Sequence, residues 1–130
     1  MAKFLHTMIR VLDADRSIAF YRDAFGLVES HRMEFPTFAL IYLRDPESGT
    51  EIELTWNHGQ SEAYSHGSGY GHVAFCVDDL AGHQALLKRL GYPAGEIKEF
   101  AAAGNKAHFY FTADPDGYKI EVLQREGHYT

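Results

Sequence analysis

At 130 residues, with 45% hydrophobic and 14% aromatic side chains, the chain has material for one compact domain or two small modules sharing a core, and nothing in it suggests disorder. A formal net charge of −6 with histidine neutral removes the electrostatic footprint that nucleic acid or an anionic membrane surface demands. Cys76 stands alone, which excludes an internal disulfide and a cysteine-rich zinc motif. With no bilayer-length apolar run and no secretory leader after Met1, the expectation is a soluble cytoplasmic protein.

Phe4 to Val11 alternates, with Leu5, Thr7, Ile9 and Val11 on one face and Phe4, His6, Met8 and Arg10 on the other, the pattern of a half-covered strand. Asp13 or Asp15 can cap a helix through Ile18, Phe20, Tyr21, Ala24 and Phe25, with Gly26 as its stop. Strand-like stretches follow around Leu27–Met33 and Thr37–Leu43. After the Asp45-Pro46-Glu47-Ser48-Gly49 turn, Ile52, Leu54 and Trp56 alternate with Glu51, Glu53, Thr55 and Asn57.

Asn57 to Gly71 is rich in Gly, Ser and His and reads as a linker, which gives modules at 1–60 and 70–130 joined through 61–69. Gly67-Ser68-Gly69-Tyr70-Gly71 fails as a phosphate loop, because a strand and not a helix follows it. In that strand, Tyr70 to Val77, the residues Val73, Phe75 and Val77 oppose His72, Ala74 and Cys76. Asp78-Asp79 then caps a helix through Leu86, Leu87 and Leu90, ended by Gly91. Strand-like segments near Gly95–Glu99 and Ala107–Thr112 enclose Phe100 to Lys106, read as a small-residue loop able to fold over a ligand. Asp114-Pro115-Asp116-Gly117 closes the last turn before Tyr118, Ile120 and Val122, which oppose Lys119, Glu121 and Leu123.

The order strand, helix, three strands has now occurred twice, and His6 answers to His72, Asp13 to Asp79, Gly26 to Gly91, Asp45-Pro46 to Asp114-Pro115 and Glu53 to Glu121 at a nearly constant offset. This is an internal duplication. One helix covers only one face of four strands, so the other face is buried elsewhere or carries a site. His6, Glu53, His72 and Glu121 all lie on that other face. A single glutamate or histidine there is ordinarily a solvated residue. Four repeats of the arrangement offer two imidazoles and two carboxylates, a donor set suited to a divalent transition metal, set against the alternative of solvated sheet faces. Arg10 and Asn57 share this face, where a surface cation and a turn former are the plain alternatives to ligand contacts. Cys76 has no base beside it in the sequence and reads as a small buried hydrophobe.

Over nearly its whole length the chain resembles the vicinal-oxygen-chelate superfamily and, within it, the glyoxalase I (lactoylglutathione lyase) family. The matching stretches are Leu5-His6-Thr7-Met8-Ile9-Arg10-Val11, Ser17-Ile18-Ala19-Phe20-Tyr21, Ile52-Glu53-Leu54-Thr55-Trp56-Asn57, Tyr70-Gly71-His72-Val73-Ala74 and Asp114-Pro115-Asp116-Gly117-Tyr118-Lys119-Ile120-Glu121. The resemblance implies an α+β fold of two tandem βαβββ modules with curved mixed sheets, paired in a homodimer. Each metal site would take His6 and Glu53 from one subunit and His72 and Glu121 from the other.

It further implies isomerisation of the methylglyoxal–glutathione hemithioacetal to S-D-lactoylglutathione, a detoxification of methylglyoxal with glutathione as cosubstrate. Glu121 matches the family's base. Glu53 would serve the other epimer or return the proton, and Arg10 and Asn57 would hold the glutamyl end of glutathione. The family divides into a zinc class, with glutamine at the first ligand position and longer insertions, and a nickel- or cobalt-activated class. His6 and the lack of a long insertion put this sequence with nickel or cobalt. The same fold also serves epimerases, dioxygenases, thiol transferases and metal-free antibiotic-binding proteins, and the epimerases and dioxygenases usually lack a glutamate at the place of Glu53. One departure stands out: relatives often set basic residues in the Phe100–Lys106 loop and just before the second histidine to grip the glycyl carboxylate, whereas here Ser68-Gly69 precede Tyr70 and only Lys98 and Lys106 lie near the loop.

Overall fold

Both halves of the chain fold with the same order of elements. In the computed structural model, which describes residues 1–130, they form two units, Met1–Ser65 and His66–Thr130. The first contains β1 (His6–Val11), α1 (Ala14–Phe25), β2 (Val28–Glu34), β3 (Phe38–Arg44) and β4 (Glu51–Asn57), in the sheet order β1-β4-β3-β2. The second contains β5 (Val73–Val77), α2 (Leu80–Leu90), β6 (Lys98–Ala102), β7 (Asn105–Ala113) and β8 (Lys119–Gln124), in the order β5-β8-β7-β6. Each sheet is mixed: β1 runs parallel to β4 and β5 to β8, and the remaining pairs are antiparallel. The expected α+β architecture of two βαβββ modules is therefore the observed one.

Local chemistry sets the ends of both helices. The Asp13 carboxylate accepts from the Arg16 N–H at 3.1 Å and the Asp79 carboxylate from the Gly82 N–H at 3.0 Å, each satisfying an amide that the first helical turn leaves unpaired. At the other ends Gly26 and Gly91 take the left-handed backbone, with φ of 71° and 83°. The following N–H groups of Leu27 and Tyr92 then reach back to Tyr21 and Leu87 carbonyls. The two Asp-Pro turns also share a device: Asp45 accepts from the Glu47 and Ser48 amides, and Asp114 from the Asp116 and Tyr118 amides.

Each helix covers one face of its own sheet. In the first unit Ile9, Val11, Phe20, Tyr21, Ala24, Ala39, Ile41, Leu43 and Leu54 are buried, while His6, Met8 and Arg10 alternate with them and are exposed. In the second, Leu80, Leu87, Tyr110, Ile120 and Val122 are buried. Tyr110 gains a polar partner there, since its hydroxyl lies 2.6 Å from His83 Nδ1. The second unit opens at His66, whose ring stacks on Tyr118 at 4.1 Å. No helix is long and apolar enough to cross a membrane.

Two segments differ from the sequence expectation. Strand β6 lies later than Gly95–Glu99, and what reads as a loop over Phe100 to Lys106 is a hairpin, in which β6 turns through Ala103 and Gly104 directly into β7. Both turn residues have positive φ, 52° and 81°, the conformation a two-residue hairpin needs and one that Ala-Gly does not advertise. His72 also sits just before β5 and not inside it, because the β5–β8 ladder opens at Val73 opposite Ile120.

Candidate metal centre

The strands that the duplication relates hold their polar residues in the same register. In the first unit Met8 pairs with Glu53 across the parallel β1–β4 ladder, so His6, two residues earlier on the same face, is the diagonal neighbour of Glu53. In the second, Ala74 pairs with Glu121, and His72 is again two residues earlier. Both glutamates sit on interior strands flanked by partners on either side, which fixes their backbone. The imidazole Nε2 of His6 lies 3.8 Å from Glu53 Oε2, and that of His72 lies 2.8 Å from Glu121 Oε2.

Each unit thus assembles one nitrogen donor and one carboxylate on the face its helix leaves open. The imidazoles are about a third or more exposed (34% and 40%), so the pairs are open to solvent, whereas the carboxylates are held deeper at 11% and 17%. No group of three or more metal-ligating side chains forms within either unit.

Arg10 and Asn57 repeat the diagonal four residues further along each strand, since Arg10 pairs with Thr55 and Asn57 lies two residues on. Arg10 is exposed. The Asn57 amide donates to the Tyr64 hydroxyl at 3.1 Å, which ties the end of β4 to the segment that follows. Cys76 is a free, half-buried thiol opposite Leu123. Of the remaining histidines, His108 is paired with Glu126 and Glu99, and His58 packs its ring on Trp56.

Residues 3–122 match the Glyoxalase/Bleomycin resistance protein/Dioxygenase superfamily. The chain belongs to this superfamily. Among curated glyoxalase-superfamily proteins it is 40% identical to the lactoylglutathione lyase of Haemophilus influenzae, over 95% of this chain and 93% of that one. The trypanothione-dependent glyoxalase I of Leishmania major superposes with a TM-score of 0.78 at 38% identity, covering 95% of this chain and 87% of its own. The glyoxalase I of Zea mays superposes at 0.83 with 31% identity, over 96% of this chain and 45% of the longer maize chain.

One contact at the centre has no counterpart in the sequence reading. Tyr42 on β3 pairs with Glu53, and its hydroxyl donates to Glu53 Oε1 at 2.6 Å. The phenol is pushed up to about 12, chiefly because its proton is committed to Glu53, with burial and the charges of Glu53 and Glu51 acting in the same direction. It therefore stays a donor at neutral pH. The signal was present in the alternation of Ala39, Ile41 and Leu43, which puts Tyr42 on the open face.

Proposed function

We propose that the protein is a metal-dependent lyase of the glyoxalase I type, isomerising the hemithioacetal of methylglyoxal and glutathione to S-D-lactoylglutathione. The observation that carries this reading is the twice-built diagonal pair, His6 with Glu53 and His72 with Glu121, each with imidazole Nε2 facing carboxylate Oε2. The names of relatives at 36–40% identity over nearly the whole chain support it.

The donor chemistry fits one divalent ion held by His6, Glu53, His72 and Glu121. Borderline imidazole nitrogens and hard carboxylate oxygens together suit Ni²⁺, Co²⁺ or Zn²⁺ better than Mg²⁺ or Ca²⁺. Because each unit supplies half of the set, we assign the complete site to a homodimer, with His6 and Glu53 from one protomer and His72 and Glu121 from the other. When bound, the ion supplies Lewis acidity that stabilises negative charge developing on the two adjacent oxygens of the substrate.

The chain's residues then divide the remaining tasks. Glu121 takes the proton from the carbon bearing sulfur and hydroxyl, and a proton is returned to the neighbouring carbonyl carbon. The net change is a hydrogen shift, with no atom or electron pair gained or lost. Arg10 offers a cation to the glutamyl carboxylate, and Asn57, on the same diagonal, a polar side chain beside it. A small acidic substrate, an absent basic footprint and no membrane-crossing helix fit action in the cytoplasm.

Metal analysis tests the reading: purified active protein should hold one divalent ion per site, lose turnover to a chelator and regain it on addition of metal. We assign Ni²⁺ or Co²⁺ as the activating ion, on the histidine at position 6 and the lack of a long inserted segment. Reconstituting metal-free protein with each ion should restore turnover with Ni²⁺ or Co²⁺ and little with Zn²⁺. A zinc protein as active as the nickel protein contradicts that assignment.

A further inference from the structure

The duplication is broken beside the two carboxylates. Tyr42 pairs with Glu53 in the β3–β4 ladder, and Phe111 pairs with Glu121 at the equivalent place in the β7–β8 ladder. Each ring meets its own unit's histidine edge to face, Tyr42 with His6 at 5.6 Å and Phe111 with His72 at 5.5 Å, while Tyr42 also neighbours His31 and Phe111 lies under Lys119 Nζ at 4.2 Å. What differs toward the carboxylate is the hydroxyl. It holds Glu53 by Oε1 at 2.6 Å while Oε2 faces His6, and a phenyl ring has no proton to offer Glu121.

Building on the functional reading above, we propose that Tyr42 is a positioning residue that pins Glu53, so that Glu53 acts as a fixed ligand and Glu121 alone moves the substrate's proton. A glutamate has three rotatable side-chain bonds, and leaving a metal to act as a base requires it to swing. Glu53 cannot swing without breaking a charge-assisted hydrogen bond from a phenol that is itself held between His6 and His31. Glu121 has no such tether from β7, and its contact with His72 at 2.8 Å is to another ligand of the same proposed site and not to a group outside it. The second proton-handling role that the sequence allows for Glu53 therefore falls to Glu121, which returns to the neighbouring carbon the proton it has taken.

The test uses the full-length protein and two variants. Tyr42→Phe keeps the ring and removes the tether, and Phe111→Tyr places a phenol beside Glu121. Ni²⁺ affinity of the metal-free protein is measured by competition with a chromophoric chelator, and kcat and KM are measured on the metal-loaded enzyme. Loss of a partner that orients a ligand should weaken Ni²⁺ binding by roughly 10–100-fold in Tyr42→Phe, with thermal unfolding of the metal-free protein unchanged. In Phe111→Tyr, kcat should fall by about tenfold or more with KM little altered, because the base is now tethered. Equal Ni²⁺ affinity in Tyr42→Phe, or an unaltered kcat in Phe111→Tyr, overturns the division of labour while leaving the functional reading intact. Unmodified protein that binds no Ni²⁺ overturns both.

Discussion

His72 Nε2 and Glu121 Oε2 lie 2.8 Å apart, joined across the parallel edge of the second sheet by the same diagonal register that joins His6 to Glu53 in the first. In the first sheet both partners lie within the ladder, and in the second Glu121 does while His72 immediately precedes it, so the sheet fixes both carboxylates and sets each imidazole at or next to the strand's start. That rigidity is what a metal ligand needs and what a mobile base must escape through its own side-chain rotations.

Glu121→Gln keeps the side chain's length and removes its ability to accept a proton. Turnover should drop by about 10²–10⁴-fold, the usual worth of a general base, while a substrate analogue still binds. Steady-state kinetics beside a binding titration read this directly. Undiminished turnover would move the base to another residue.

Shared sites make a distinctive prediction about mixtures. His6→Ala and His72→Ala homodimers should each be nearly inactive, since every site in them lacks one imidazole. A heterodimer carrying one chain of each kind keeps one intact site and should recover up to half the activity per dimer. Verified subunit exchange with no recovered turnover would place each site within one chain.

Away from the centre, His108 accounts for a separate pH effect. Its Nδ1 lies 2.7 Å from Glu126 Oε1, and that hydrogen bond raises the imidazole above its ordinary range, against a smaller opposing effect of burial and with help from Glu99. Because the folded value is raised, the stabilisation is complete below the unfolded value of about 6.5 and is lost as pH rises through the folded one. A proton NMR titration should put the His108 midpoint above about 6.5 and lower it in Glu126→Gln. A midpoint at or below that value in the unmodified protein contradicts the pairing.

Much of the site was legible because a helix over one face of a sheet forces strict alternation. Once Ile9, Val11, Ile52 and Leu54 are assigned inward, His6 and Glu53 have only the open face left, and the same holds for His72 and Glu121. The role of Tyr42 is not legible in the same way, since its partner depends on the β3–β4 register, and that register is set by the Asp45–Gly49 turn and not by Tyr42's own surroundings in sequence. Strand β6 escaped for a different reason: Lys98 to Ala102 are all exposed, so no apolar stripe marks them, and the Ala103-Gly104 turn relies on a left-handed alanine. The proposed pairing of half-sites into one centre concerns assembly, which periodicity along a single chain does not encode.

Under the proposed function, two His–Glu pairs hold a divalent ion that makes this chain an isomerase of the glyoxalase I type. The most direct measurement mixes Ni²⁺-loaded protein with methylglyoxal and glutathione and follows the thioester as it forms, before chelation, after chelation and after Ni²⁺ is restored. Thioester should accumulate, stop and resume in that order, with S-D-lactoylglutathione as the product. A protein that binds one Ni²⁺ per site and still forms no thioester would contradict the account.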